Sequence, residues 1–153
     1  MNIENKILAA RASLILANRR QLVSVGLVGL IVVHILDLPS KITEVPYLAA
    51  AYVGAISIAA LLIERLNTKD RAADFAAAAG LSLAVLTAFV VNRTTGMPQA
   101  TDDIGNWLEP LGLLSMCLEL WLVYQGARGF ALARRARLVV SAIAVHQPRH
   151  AAA

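Results

Sequence analysis

Residues 22–38 read LVSVGLVGLIVVHILDL, a run whose only polar side chains are Ser24, His34 and Asp37. Its apolar residues fill every side of a helix rather than one stripe, which predicts a helix surrounded by apolar material. Three runs of similar length follow, at about 47–63, 73–91 and 107–124. A hydrocarbon core of roughly 30 Å takes about 20 residues at 1.5 Å each, so each run is close to one crossing. The totals agree. Of the 153 residues, 58% are hydrophobic and 16% charged, against about 45–50% and 25% in soluble domains, and one domain this small cannot hide that much apolar surface from water. The expected fold class is all-α: an integral membrane antiparallel four-helix bundle with amphipathic flanking helices, multi-pass in the cytoplasmic (inner) membrane.

Around the spans the sequence divides into 1–20, an amphipathic segment, 21–126, the four transmembrane helices, and 127–153, a basic C-terminal segment. In the first, Ile3, Ile7, Ala10 and Leu14 recur at three- and four-residue spacing beside Lys6, Arg11, Arg19 and Arg20, a pattern suited to an anionic membrane surface. About twenty mixed residues precede the first run, so no cleaved leader is expected. Pro39 is expected to end span one, with SKITEVP as a short loop, ERLNTKDR as a polar connector and NRTTGMPQATDDIGNW as an ordered turn-rich loop. In the last segment Arg128, Arg134, Arg135 and Arg137 precede LVVSAIAV, too short to cross, and the tail HQPRHAAA is expected to be disordered. Of 14 basic residues only Lys41 and Arg93 lie on the side away from the termini. The positive-inside rule therefore places both termini in the cytoplasm, with Tyr47 and Trp107 at the outer interface and Trp121 and Tyr124 near the inner one.

The formal charge of +4 has the same reading, because the basic residues flank apolar blocks and form no aromatic-laced patch; no nucleic-acid partner is expected. Ala51, Ala55 and Ala59 in span two, and Ala76, Gly80, Ala84 and Ala88 in span three, recur every four residues as candidate close-packing edges. Cys117 is the lone cysteine, which excludes an intrachain disulfide and a CxxC pair.

Candidate chemistry collects on the outer side: His34, Asp37, Glu44, Arg93, Asp102, Asp103 and Glu109, with Glu119 deeper on the helix that follows Glu109. His34 and Asp37 stand three apart and share a helix face, as an imidazole with its orienting carboxylate, two ligands of one ion, or an interhelical hydrogen bond. Glu119 follows Glu109 by ten positions, which puts it about 15 Å deeper. An ionised carboxylate there costs on the order of 2.5–3.5 kcal/mol, so protonation or pairing is expected, with Ser82, Thr87 or Ser115 as hydrogen-bond partners, or a relay or pocket-wall role. Arg93 is a candidate clamp to Glu109 or Asp37, or a snorkelling anchor. Met97, Met116, Cys117 and His34 form a sparse soft-ligand set, and His34, Asp37, Met116 and Cys117 are the metal candidates, though Met116 and Cys117 point about 100° apart on a helix. No nucleophile–base pair, Gly-rich phosphate loop, CxxCH or HExxH occurs.

Two stretches resemble a family of four-span integral membrane proteins of actinobacteria and related lineages. His34 followed by KITEVP, with Glu44 and Pro46, is similar to a histidine preceding a His-x-x-Glu-x-Pro loop; Arg93, Thr94, Gly96, Pro98, Glu109, Pro110, Gly112 and Glu119 match an Arg-Thr-x-Gly-x-Pro turn, Glu-Pro-x-Gly and a later intramembrane glutamate. Lys41 stands where that pattern often has a second histidine, and Ser115 where it often has an aspartate. Both differences remove potential metal donors. The resemblance implies an architecture with polar residues outside, and no particular activity or cofactor. Small size and the missing catalytic motifs lead to a first expectation of a non-enzymatic accessory or structural subunit, with the lipid bilayer and other membrane subunits or a second copy as partners. An ion, proton or small-ligand binding or relay protein built on the outer cluster is the alternative, and a small oligomeric transporter the third.

Overall fold

The computed structural model describes residues 3–69 and 71–146. Within them the chain forms four α-helices, α1 (Ile3–Glu44), α2 (Pro46–Thr68), α3 (Ala72–Thr94) and α4 (Pro110–His146), and one 3-10 turn at Thr101–Asp103. α1, α2 and α3 are long and apolar enough to cross a membrane, whereas α4, expected as the fourth span, falls outside that set. Glu119, Gln125 and the arginines from Arg128 onward dilute its apolar character. It also begins at Pro110 rather than 107, so Trp107–Glu109 belong to the preceding loop.

Three further expectations are corrected. Pro39 does not end α1, which continues through it to Glu44. A proline nitrogen cannot donate to the Ile35 carbonyl one turn back, but a single missing bond does not end a helix whose turns on either side are intact; beyond it Ser40 Oγ donates to the Asp37 carbonyl at 2.8 Å, and Thr43 Oγ1 to that of Ser40 at 2.9 Å. The SKITEVP segment is therefore helical up to Glu44, and the chain reverses at Val45, whose N–H donates to the Lys41 carbonyl at 3.0 Å. Pro46 then opens α2 at a position where the missing N–H costs nothing. Lastly, the basic flanks are not separate surface helices: they continue α1 and α4, whose 42 and 37 residues extend about 63 and 55 Å, well beyond one hydrocarbon core. Residues 147–153, most of the expected disordered tail, lie outside the described residues.

Successive helices run antiparallel. Ser24 and Asn67 bridge α1 to α2 at one end and His34 stacks on Tyr52 towards the other; Gly126 lies on Phe75 and Ala79 of α3, and Gly112 on Phe89. α3 packs most extensively on α4, α1 on α2 and α4, and α2 more sparsely on α3. Glycines make the close approaches: a Cβ at Gly126 would sit 2.8 Å from the Phe75 carbonyl oxygen, and one at Gly26 would meet Trp121 and Leu122. The alanine stripes contribute less than expected. Ala59 is buried, but Ala51, Ala76, Gly80 and Ala84 are exposed, Ala55 and Ala88 half-buried, and nothing comes within 4 Å of a Cβ at Gly80. The inward face of α3 is instead the one bearing Phe75, Ala78 and Ser82.

Val23, Leu27, Leu30, Leu62, Phe75 and Leu122 centre the apolar core. Around it the usual distribution is inverted: Ser24, His34, Asp74, Ser82, Arg93, Ser115, Glu119 and Gln125 are buried, while Val25, Val28, Val32, Val53, Leu61, Leu83, Leu114 and Leu120 are exposed. Lipid suits such a surface better than water.

Candidate functional site

At the end where the long loop between α3 and α4 lies, a cavity of about 210 Å³ gathers five of the outer-side sequence candidates, His34, Asp37, Arg93, Asp103 and Glu109. α1 supplies the first wall. The His34 ring is 4% exposed and its Nδ1 lies 2.9 Å from the Leu30 carbonyl, which can only accept. Nδ1 therefore carries the hydrogen, and in the neutral ring Nε2 is an acceptor, with no partner among the described residues. One turn on, Asp37 Oδ1 accepts from Ser40 Oγ at 3.0 Å and Oδ2 from Tyr52 hydroxyl at 2.9 Å. Tyr52 also packs edge-on against His34, ring centroids 4.7 Å apart. These helices thus present acceptors, oriented by hydroxyls rather than by a cation.

α3 and the loop supply an ion-pair network. Arg93, 7% exposed, donates from Nη1 to Asp103 Oδ1 at 2.6 Å and to its carbonyl at 3.2 Å, and from Nη2 to Glu109 Oε2 at 3.5 Å, with its guanidinium over the Phe89 ring. Asn92 Nδ2 donates to Asp103 Oδ2 at 2.8 Å, and Lys41 reaches that oxygen at 3.7 Å. Burial pushes the Asp103 carboxyl up, but hydrogen bonds from Asn92 and Arg93 and the charges of Lys41 and Arg93 outweigh it and hold its pKa below the ordinary value. Glu109 caps α4, accepting from the backbone N–H of Leu111 at 3.0 Å and of Gly112 at 2.6 Å. Gly96 and Gly105, at φ +78° and +77°, take the left-handed conformations that fold the loop back, so that Gly105 N–H bonds the Arg93 carbonyl at 2.9 Å.

Arg93 therefore joins the loop to α4, and does not reach Asp37 as a clamp between hairpins. Across the hairpins run the Lys41–Asp103 pair and the bond from Tyr47 hydroxyl to the Pro98 carbonyl at 2.8 Å. Glu44 and Asp102 are exposed outside the cavity. Met97 lines it; Met116 and exposed Cys117 do not, and among the described residues no group of three or more His, Cys, Asp or Glu could hold a metal ion. Lys41, Tyr52 and Asn92 complete the site without having been singled out as site residues. Tyr52 carried no signal within an apolar run; Lys41 did, as one of the two basic residues set apart from those near the termini and the α2–α3 connector.

Ser115 lines the cavity floor and donates to Glu119 Oε1 at 2.7 Å one turn below. Glu119 is fully buried, and its Oε2 has no partner among the described residues; neither has Ser82 Oγ. Thr87 bonds its own helix, at Leu83. Glu119 stands midway between Gly112, which faces Phe89, and Gly126, which faces Phe75 and Ala79, so Ser82 is level with it across the α3–α4 contact. Beyond lie the apolar core and then a second polar layer, with Arg65 Nε 2.7 Å from Asp74 Oδ1, Asn67 bonded to Ser24, and Arg19 bonded to Gln125.

These features define a helical protein with three helices able to cross a membrane and a polar cavity at one end of its bundle. No family model, curated protein or solved structure matches the chain.

Proposed function

We propose that the chain is a four-span protein of the cytoplasmic membrane that binds a small ligand in an extracytoplasmic cavity. α4 serves as the fourth span, because its polar residues Ser115, Glu119 and Gln125 turn inward while Leu114, Cys117, Leu120 and Tyr124 face out. Lipid would therefore meet mainly its apolar side. The positive-inside rule assigns the end with the fewest Lys and Arg, where the cavity lies, to the outside. One observation carries the binding reading: His34, Asp37, Arg93 and Glu109, from three separate parts of the sequence, converge on one cavity. At about 210 Å³ it is smaller than the roughly 300–1,000 Å³ of drug-sized sites, so the ligand is compact.

Native mass spectrometry of the protein from its own membrane, in mild detergent, tests this. Wild type should retain a small molecule that Ala88→Trp, which fills the cavity, has lost. Equal spectra with no adduct would remove the ligand reading. The exposed Ala76, Gly80 and Ala84 stripe favours a second reading, an accessory subunit packed against another membrane protein subunit or a second copy; a stoichiometric protein partner in the same spectra would support it.

A further inference from the structure

We infer that the cavity takes a small amine as its ammonium ion, seated against Asp37 and His34 Nε2. The inference rests on the ligand-binding reading above and adds the ligand's class. Among the ionisable groups facing the cavity, two cations and two of the three carboxylates already answer one another: Asp103 takes Arg93 and Lys41, and Glu109 takes Arg93 together with two N–H groups of α4. Asp37 is the carboxylate left over. Its ligands are two neutral hydroxyls, from Ser40 and Tyr52, and each of its oxygens keeps a further lone pair. One turn away on the same face, His34 is buried, lines the cavity and holds Nε2 as an unpartnered acceptor.

An anion placed there would meet a carboxylate and a lone pair. A neutral donor would satisfy the hydrogen bonds but leave the negative charge unbalanced. An ammonium group answers both, through charge-assisted hydrogen bonds in surroundings of low dielectric. Leu48, Val85 and Ala88 line the rest and suit a short apolar body. Lys41, one turn beyond Asp37, already carries an ammonium group to the cavity but spends it on Asp103; it is the internal competitor for the same carboxylate.

The test is calorimetric titration of the full chain in detergent with three probes of nearly one shape: benzylammonium, benzyl alcohol and benzoate. Benzylammonium should bind at least about tenfold more tightly than benzyl alcohol, as a hydrogen-bonded charge pair implies, and benzoate should not bind. Asp37→Asn keeps an oxygen that accepts from one of the two hydroxyls and presents an N–H to the other, which can rotate to accept it; it should lower benzylammonium binding to the level of the alcohol in a protein that still unfolds cooperatively. If that variant fails to fold, Lys41→Met gives the second reading: removing the competitor should leave benzylammonium binding as tight or tighter. Preference for benzoate, weaker benzylammonium binding in Lys41→Met, or undiminished binding in folded Asp37→Asn would overturn the inference. If no probe binds but the native adduct still disappears in Ala88→Trp, the amine class fails and the cavity reading stands. If no probe binds and there is no adduct, both fail.

Discussion

Asp103 is the residue on which the long-loop end closes, since it meets Lys41 of α1 and both Asn92 and Arg93 of α3. Its folded pKa lies below the ordinary 3.8, so the unfolded chain takes up the proton first on acidification. Asp103 therefore contributes its full stability above about that pH and loses it progressively as the pH falls further toward the folded value. Wild type should show a falling thermal midpoint in detergent across this acid window, and Asp103→Asn should start lower and fall less steeply. Equal slopes in the two proteins would assign the acid sensitivity elsewhere. This residue also shows how far the site was legible. Sequence alone pointed to Arg93 and an outer acidic partner, Glu109 or Asp37; Glu109 is met at 3.5 Å, but the nearest partner, Asp103, is set by the loop's path through Gly96 and Gly105, which no periodicity encodes. Tyr52 was invisible for a related reason, because the register between α1 and α2 alone brings its hydroxyl to Asp37.

At the scale of elements, the helices were legible and their joints were not. Apolar runs marked all four, yet α1 passes through Pro39, and the basic flanks prolong α1 and α4. A proline signals a lost hydrogen bond; in apolar surroundings the remaining helical bonds on either side outweigh it, and a linear pattern does not weigh the two. Packing faces were similarly displaced. Four-residue alanine spacing marks a face small enough to pack without showing that anything packs on it, whereas Gly26 and Gly126 are used at actual crossings. Gly126→Val should therefore cost about 1–3 kcal/mol, the usual penalty of overpacking, and visibly lower the thermal midpoint in detergent. Gly80→Val, which places the same side chain in open space, should stay within about 0.5 kcal/mol of wild type. The reverse order would mean that the exposed stripe of α3, rather than the α3–α4 seam, holds the molecule together.

For the whole molecule the decisive matter is whether α4 crosses. Three crossings would leave the two termini on opposite sides of the membrane; a fourth returns the C-terminal arginines to the side of the N-terminal ones. Composition alone disfavours α4, because Glu119 and Gln125 weigh against insertion. The bundle changes that balance: both are buried, Glu119 is met by Ser115 and Gln125 by Arg19, and the outward positions between them are Leu120 and Tyr124. α4 also lies along α1 and α3 from Gly112 to Gly129, so a position outside the membrane would require its partners to leave as well. Single cysteines in a Cys117→Ser background decide it. Asp102→Cys, at the exposed loop, should react with a membrane-impermeant maleimide in intact spheroplasts. Lys69→Cys, between α2 and α3, and Arg135→Cys, on the far part of α4, should react only after lysis. If Arg135→Cys labels in intact spheroplasts as readily as Asp102→Cys while Lys69→Cys stays protected, α4 does not cross. The protein would then have three spans, with α4 lying outside the membrane.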